Sequence, residues 1–247
     1  MRSFILRFIQ DVRHREQVIL PAENGEEFLL LYGLIQRVRR LAQAYLCLVK
    51  SGFANEGTVL IRSALEHSVT AQWAYLIPGG IDRLRVSLAR AEADLARGMV
   101  GYSSDPEWIA QEKELRDAIP AGRGLPNFTR QGGIIAELDP VSFLAVSYQI
   151  FSQVGHVTHR APVDFIMEDA GGVRLRTTAE PEMGSEMLYA LSGFCMLVAW
   201  LHARLEADDL EILRLKQISI TLHVPWRLDT HLPDVRRRFP DEDPKIN

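Results

Sequence analysis

Hydrophobic residues recur along most of this chain with the three- and four-residue spacing of amphipathic α-helices. The longest stretches with this spacing are 26–49, 57–77, 82–99, 141–157 and 186–206. Proline and glycine separate several of them, as in Pro78-Gly79-Gly80, and Ser104-Asp105 before Pro106 is typical of a helix start. Together with shorter stretches of the same kind, the pattern predicts an all-α protein, a single-domain bundle of about five to seven helices.

Two parts of the chain depart from the helical pattern. Apolar and polar residues alternate through 172–178, which predicts at most a short strand or β-hairpin. From residue 223 onward four prolines oppose regular structure, and the segment is either disordered or an extended arm lying on a partner. We therefore divide the chain into a helical bundle domain, 1–222, and a Pro-rich tail or arm, 223–247. The four prolines are Pro225, Pro233, Pro240 and Pro244.

Composition narrows the classes of protein to consider. A chain of 247 residues with 47% hydrophobic content can bury a full core, and a net charge of −4 gives no global basic field for nucleic acid. Cys47 and Cys195 lie in apolar helical contexts without a CxxC partner, which predicts reduced core residues. No segment approaches the ~20 apolar residues that span a bilayer. We expect a cytoplasmic protein that does not enter a membrane.

Polar residues form two ribbons on segments that otherwise predict buried helices. Arg62 and Glu66 lie four residues apart on one segment, and Tyr148, Ser152 and His156 are spaced by four on another. Helical residues four apart share a face, and ionisable groups are seldom buried without partners. We therefore expect the two ribbons to face each other, with Arg62 and Glu66 largely buried and hydrogen-bonded.

The position of His67 differs from that of Arg62. At ~100° per residue, Arg62 and Glu66 lie ~40° apart around the helix, whereas Arg62 and His67 lie ~140° apart. His67 then lies beside Ser63 and points away from the Arg62 ribbon. The two residues can act together only if the helix is kinked or a second subunit supplies the missing surface.

Arg62 followed by four residues and His67 resembles the Arg-x(4–6)-His motif of HEPN (higher eukaryote and prokaryote nucleotide-binding) proteins. These are all-α domains, and many are metal-independent ribonucleases of toxin–antitoxin and antiviral systems. The resemblance implies that Arg62 and His67 act on an RNA phosphate at a dimer interface. The family usually has Asn, Asp or His after the Arg, where this chain has Ser63.

A second resemblance covers roughly residues 26–161. Arg62-Ser63-x-x-Glu66 followed by Tyr148-x3-Ser152-x3-His156 is similar to a family of uncharacterised bacterial helical proteins, a domain of unknown function. Two separated motifs agree in order and spacing. This resemblance implies a helical fold and leaves the activity open.

Two functions from different classes remain. The first is a dimeric, metal-independent ribonuclease of the toxin or antiviral-defence type, with Arg62 and His67 as catalytic residues, RNA as substrate, an antitoxin as a further partner and no cofactor. The second is a non-catalytic interaction or small-ligand-binding module, in which Arg62, Glu66, Tyr148, Ser152 and His156 form a buried polar network. A weaker alternative is a metal site made by His156, His159 and Asp164.

Overall fold

The fold was determined from a computed structural model, which describes residues 1–10, 25–103, 105–119, 131–138, 143–155, 165–169, 171–177 and 183–229. These residues form nine helices and one β-hairpin, so the all-α prediction is confirmed. The helices are α1 Arg2–Gln10, α2 Gly25–Lys50, α3 Thr58–Leu76, α4 Gly80–Ser103, α5 Pro106–Ala118, α6 Gln131–Leu138, α7 Phe143–Gly155, α8 Gly184–Leu205 and α9 Asp209–Leu222. The strands are β1 Ile166–Asp169 and β2 Gly172–Leu175.

Helices α3 and α8 form the centre of the bundle. Helix α3 packs against α2, α4, α6, α7 and α8, and α8 also packs against α1, α2 and α9. Large side chains from both central helices are fully or almost fully buried, among them Trp73, Phe194 and Trp200. The Tyr75 and Trp200 rings meet edge-to-face with centroids 5.9 Å apart. Burial of these apolar surfaces is the main source of stability for this arrangement.

Glycine, proline and a capping carboxylate set several of the helix boundaries that the sequence predicts. Gly52 follows α2 with φ 86° and Gly79 follows α3 with φ 70°, a left-handed backbone that glycine adopts without steric cost. Helix α5 begins at Pro106, and the Asp105 carboxylate accepts a hydrogen bond of 2.9 Å from the Glu107 N–H. This is the predicted N-cap with proline at the first helical position.

The short strand predicted near 172–178 is one arm of an antiparallel hairpin. Asp169 pairs with Gly172 beside the turn, and Gly172 has φ 114°. All residues of β2 are exposed. The described residues contain more helices than the five to seven expected from the sequence, partly because α6 is only eight residues long and contains two glycines. Eight residues give too few turns to establish a hydrophobic period.

The first part of the Pro-rich tail lies on the bundle itself. His223, with φ 54°, ends α9, and Val224 and Leu228 after it are buried. The Trp226 ring meets the Trp200 ring edge-to-face at 6.2 Å, and the Leu228 N–H donates to Gln72 Oε1 at 3.2 Å. Residues 223–229 are therefore an irregular arm on their own domain rather than on a partner. The prediction for 230–247 lies outside the described residues.

The two cysteines have different environments. Cys195 is buried, and its burial raises the pKa of the thiol above the ordinary range, against the opposing effect of Arg39. Cys47 is exposed, so its assignment to the core is wrong. It lies in the last turns of α2, on the outer side of an amphipathic helix where an apolar sequence context does not imply burial.

Helix α8 tests the expectation that no segment of the chain is long and apolar enough to span a membrane. Its 22 residues are long and apolar enough to cross a bilayer, contrary to the expectation that no segment approaches this length. In the bundle, 67% of its most apolar window is buried among other helices. The same composition also occurs in a core helix that is surrounded by protein.

Candidate functional site on helix α3

Helix α3 is mostly buried but keeps one polar stripe at the surface. At ~100° per residue the stripe has Arg62 at one edge and His67 toward the other. We call it the α3 stripe; its members are half-buried or exposed, and they are Val59, Arg62, Ser63, Glu66, His67 and Thr70. A central helix with an open polar face is unusual in a bundle, since packing normally covers it. The α3 stripe is therefore a candidate functional surface.

Arg62 joins the stripe to helix α7. Its Nε lies 3.2 Å from Glu66 Oε1, and its Nη2 donates to the Tyr148 hydroxyl at 3.4 Å. The guanidinium carbon is 5.3 Å from the centroid of the Tyr148 ring. The structure thus brings Arg62, Glu66 and Tyr148 together, as the facing ribbons predict.

The burial of this cluster is less complete than the sequence predicts. The Arg62 side chain is 19% exposed and the Glu66 side chain 36%. The expectation that both are largely buried is therefore wrong for Glu66. Its carboxylate lies toward the middle of the stripe, about 40° further round the helix than Arg62. Solvent reaches the ion pair and weakens its electrostatic energy.

The remaining members of the second ribbon do not all reach Arg62. The Ser152 hydroxyl donates to the Tyr148 carbonyl at 2.6 Å, a bond within its own helix. Serine in a helix commonly bonds the carbonyl four residues back, and that bond turns the hydroxyl toward the α7 backbone. His156 lies outside the described residues, so its predicted place in the network stays a prediction.

His67 is held on the other side of the stripe by Ser63. Its Nδ1 lies 2.7 Å from the Ser63 carbonyl oxygen and 3.4 Å from the Ser63 hydroxyl. A carbonyl oxygen only accepts, so Nδ1 carries the proton, and in the neutral ring Nε2 is then the basic nitrogen. The local sequence fixes this tautomer, because residues four apart in a helix lie one above the other.

The charges of the stripe offset each other. Arg62 supplies a cation and Glu66 an anion, and their carboxylate–guanidinium contact uses Arg62 Nε. An anionic ligand that binds Arg62 competes with Glu66 for the same guanidinium. Tyr148 accepts from Arg62 and still has its own O–H to donate. The arrangement offers a bound phosphate one guanidinium and one hydroxyl donor.

A second polar cluster beside the stripe was not predicted from the sequence. Trp73 Nε1 donates to Glu137 Oε2 at 2.7 Å, and the Arg83 guanidinium carbon is 4.4 Å from the centroid of the Trp73 ring. Burial lowers the pKa of Arg83, and Glu137 opposes that shift. The cluster fixes α4 and α6 onto α3. Glu137 belongs to the short α6, whose sequence carries no signal for this contact.

The structure leaves the metal alternative untested. His156, His159 and Asp164 lie outside the described residues. Within the part of the chain that the structure describes, no three His, Cys, Asp or Glu side chains are grouped so that they could hold a metal ion.

Comparison of the chain with protein-family models, with curated proteins and with solved structures gave no match. The two family resemblances therefore rest on the motifs around Arg62 and Tyr148 alone.

Proposed function

We propose that this protein is a metal-independent endoribonuclease of the toxin or antiviral-defence type, with its active site on the α3 stripe. One observation carries the proposal. Arg62 and His67 stand on the two sides of the open face of an otherwise buried helix, and the Ser63 carbonyl holds His67 as the tautomer whose Nε2 is basic. A cationic group and a fixed base beside one open surface are what metal-free RNA cleavage requires.

The proposed reaction is a transesterification at one phosphodiester. His67 Nε2 removes the proton of the ribose 2′-hydroxyl, and the 2′-oxygen forms a bond to phosphorus. Arg62 offsets the negative charge that develops on the phosphate oxygens, and the Tyr148 hydroxyl donates to one of them. The bond from phosphorus to the 5′-oxygen then breaks, and that oxygen takes a proton from a protonated histidine or from water. The products are a 2′,3′-cyclic phosphate and a free 5′-hydroxyl.

A homodimer is the assembly we propose for this chemistry. Arg62 and His67 lie ~140° apart on one helix, so one copy presents its arginine and its histidine in different directions. A second copy related by a two-fold axis brings the Arg62 of one subunit toward the His67 of the other. Val59, 53% exposed in the same stripe, gives such a contact an apolar component. We also propose that the protein is cytoplasmic, that it uses no cofactor, and that an antitoxin covers the α3 stripe.

The proposal is tested with purified protein, single-stranded RNA and EDTA. We expect the wild type to cleave, and His67→Ala to lose at least about a hundredfold in rate, the usual contribution of a general base. Arg62→Ala should lose a similar factor. The matched controls are His223→Asn, at an exposed left-handed position that asparagine tolerates, and Arg40→Ala on the exposed side of α2. Equal rates for the site variants and their controls would overturn the proposal.

A second candidate function is the non-catalytic binding module. It is favoured by the contacts of Arg62 with Glu66 and Tyr148, which already satisfy much of its donor capacity. In that case Arg62 organises the α3–α7 surface for a partner rather than contacting a phosphate. Two results together would select this function. The folded wild type would show no ribonuclease activity, and it would form a partner complex that Arg62→Ala disrupts and Arg40→Ala preserves.

A further inference from the structure

Two adjoining cavities lie among α1, α2, α8 and α9, and no residue of the α3 stripe lines either of them. The first is a polar cavity of about 190 Å³, lined by residues of all four helices, among them Arg7, Arg39, His202 and Glu211. The second is a more apolar groove of about 490 Å³ between α1 and α9. Arg7 and Arg214 line both cavities, so the two cavities adjoin at these residues.

The carboxylates of the polar cavity are already engaged by the protein. Glu211 takes a two-pronged contact from Arg214, and Glu206 lies 3.6 Å from His202 Nδ1. Asp208 caps α9, since its carboxylate accepts from the Glu211 N–H at 3.0 Å. These acids are therefore poorly placed to hold an incoming cation.

The three arginines that line the cavity differ in their contacts, and Arg214 is the one that holds Glu211. Arg39 is buried, and its Nε and Nη1 donate to the neutral oxygens of Phe8 and Gln36 at 3.0 and 3.1 Å. Arg7 is exposed at the junction with the groove and makes no hydrogen bond or ion pair with any residue that the structure describes. Arg7 is thus available to an anion from outside the chain.

The groove supplies an apolar surface next to this cation. Phe4 on α1 and Ile218 and Leu222 on α9 line it. An apolar cavity of roughly 150 Å³ holds a benzene molecule, so the groove has room for an alkyl chain of about ten carbons. A concave apolar surface with a few polar groups at one end is the usual form of a small-molecule site.

We propose that the two cavities form one binding site for a single-chain amphiphile with an anionic head, a medium-chain carboxylate. The head lies at Arg7 at the mouth of the polar cavity, and the chain lies along Phe4, Ile218 and Leu222. Charge complementarity selects the head group, and the apolar walls select the chain. The site is independent of the α3 stripe and of the ribonuclease proposal.

Calorimetric titration of the full chain tests this site with three probes below the micelle concentration. Decanoate carries both the charge and the chain, decanol only the chain, and acetate only the charge. We expect decanoate to bind at least about tenfold more tightly than acetate, because each methylene that is buried contributes up to about fourfold in affinity. Decanoate should also bind at least about tenfold more tightly than decanol, because decanol has no charge for Arg7 to bind. Equal binding of decanoate and decanol, or no decanoate binding at all, would overturn the proposal.

Variants locate the binding. Arg7→Ala should weaken decanoate binding at least about tenfold, whereas Arg2→Ala, exposed on the same helix and outside both cavities, should not. Thr221→Trp places a large ring at the edge of the groove from an exposed position and should also block decanoate. Equal affinities for the Arg7 and Arg2 variants contradict the site. If the wild type does not bind decanoate and Thr221→Trp changes the oligomeric state, the groove is instead the contact surface for a second copy of the chain.

Discussion

Arg62 connects the chemistry of the α3 stripe with the packing of two helices. Its guanidinium contacts the Glu66 carboxylate on its own helix and the Tyr148 hydroxyl and ring on α7. Because both ionic side chains remain partly exposed, solvent screens their attraction. Arg62 thus contributes less to stability than a fully buried ion would, and its removal is a usable test of function.

We expect Arg62→Ala to lower the free energy of unfolding by about 1 kcal/mol, the upper range for a solvent-screened ion pair. Breaking a fully buried pair would cost about 3–5 kcal/mol, because it leaves a buried charge without its partner. Urea unfolding followed by circular dichroism measures the difference. Arg40→Ala, the exposed control, should remain within about 0.5 kcal/mol of wild type. If Arg62→Ala lowers the free energy of unfolding by more than about 3 kcal/mol, the Glu66 carboxylate is buried and not screened by solvent.

The turn between α3 and α4 shows how one close approach orients a whole helix. Gly80 is the first residue of α4, and a Cβ atom placed on it would lie 2.6 Å from the Ala74 carbonyl oxygen. That oxygen belongs to the backbone of α3 and cannot swing aside. Gly79, with φ 70°, provides the reversal just before it. The pair Gly79-Gly80 therefore brings α4 against α3, where Arg83 reaches the Trp73 ring.

Gly80→Ala should destabilise the fold by about 1–3 kcal/mol, since the added methyl group forces the two helices apart. Gly98, within the same helix, is the matched control because a Cβ there meets no atom within 4 Å. Gly98→Ala should stabilise by about 0.5–1 kcal/mol through helix propensity. Thermal or urea unfolding of both variants gives the comparison. If Gly80→Ala and Gly98→Ala shift stability in the same direction, the close approach of Gly80 to Ala74 does not constrain the turn between α3 and α4.

At the scale of the whole molecule, local signals predicted the elements better than the contacts among them. The hydrophobic period located α2 and α3, and the Asp105 cap located the start of α5, because these signals act within a few residues. The bond from His67 to Ser63 is likewise local, four residues along one helix.

Contacts between distant parts of the chain had no comparable signal. Gln72 donates to the Leu197 carbonyl at 2.7 Å and accepts from the Leu228 N–H, so it joins α3 to α8 and to the arm. These partners lie more than a hundred residues away, where periodicity carries no information about pairing. The same reason explains why the tail was expected to be either disordered or on a partner, and why the contact of Glu137 with Trp73 was missed.

The central claim is that the α3 stripe cleaves RNA without a metal, through the ribose 2′-hydroxyl. The most direct measurement incubates the purified protein in EDTA with a single-stranded RNA and with the same sequence in which every 2′-hydroxyl is replaced by hydrogen. We predict cleavage of the RNA only, with 2′,3′-cyclic phosphate ends that His67→Ala fails to produce. Intact RNA with a folded protein, equal cleavage of both strands, or activity that returns only on adding zinc or manganese would contradict the claim.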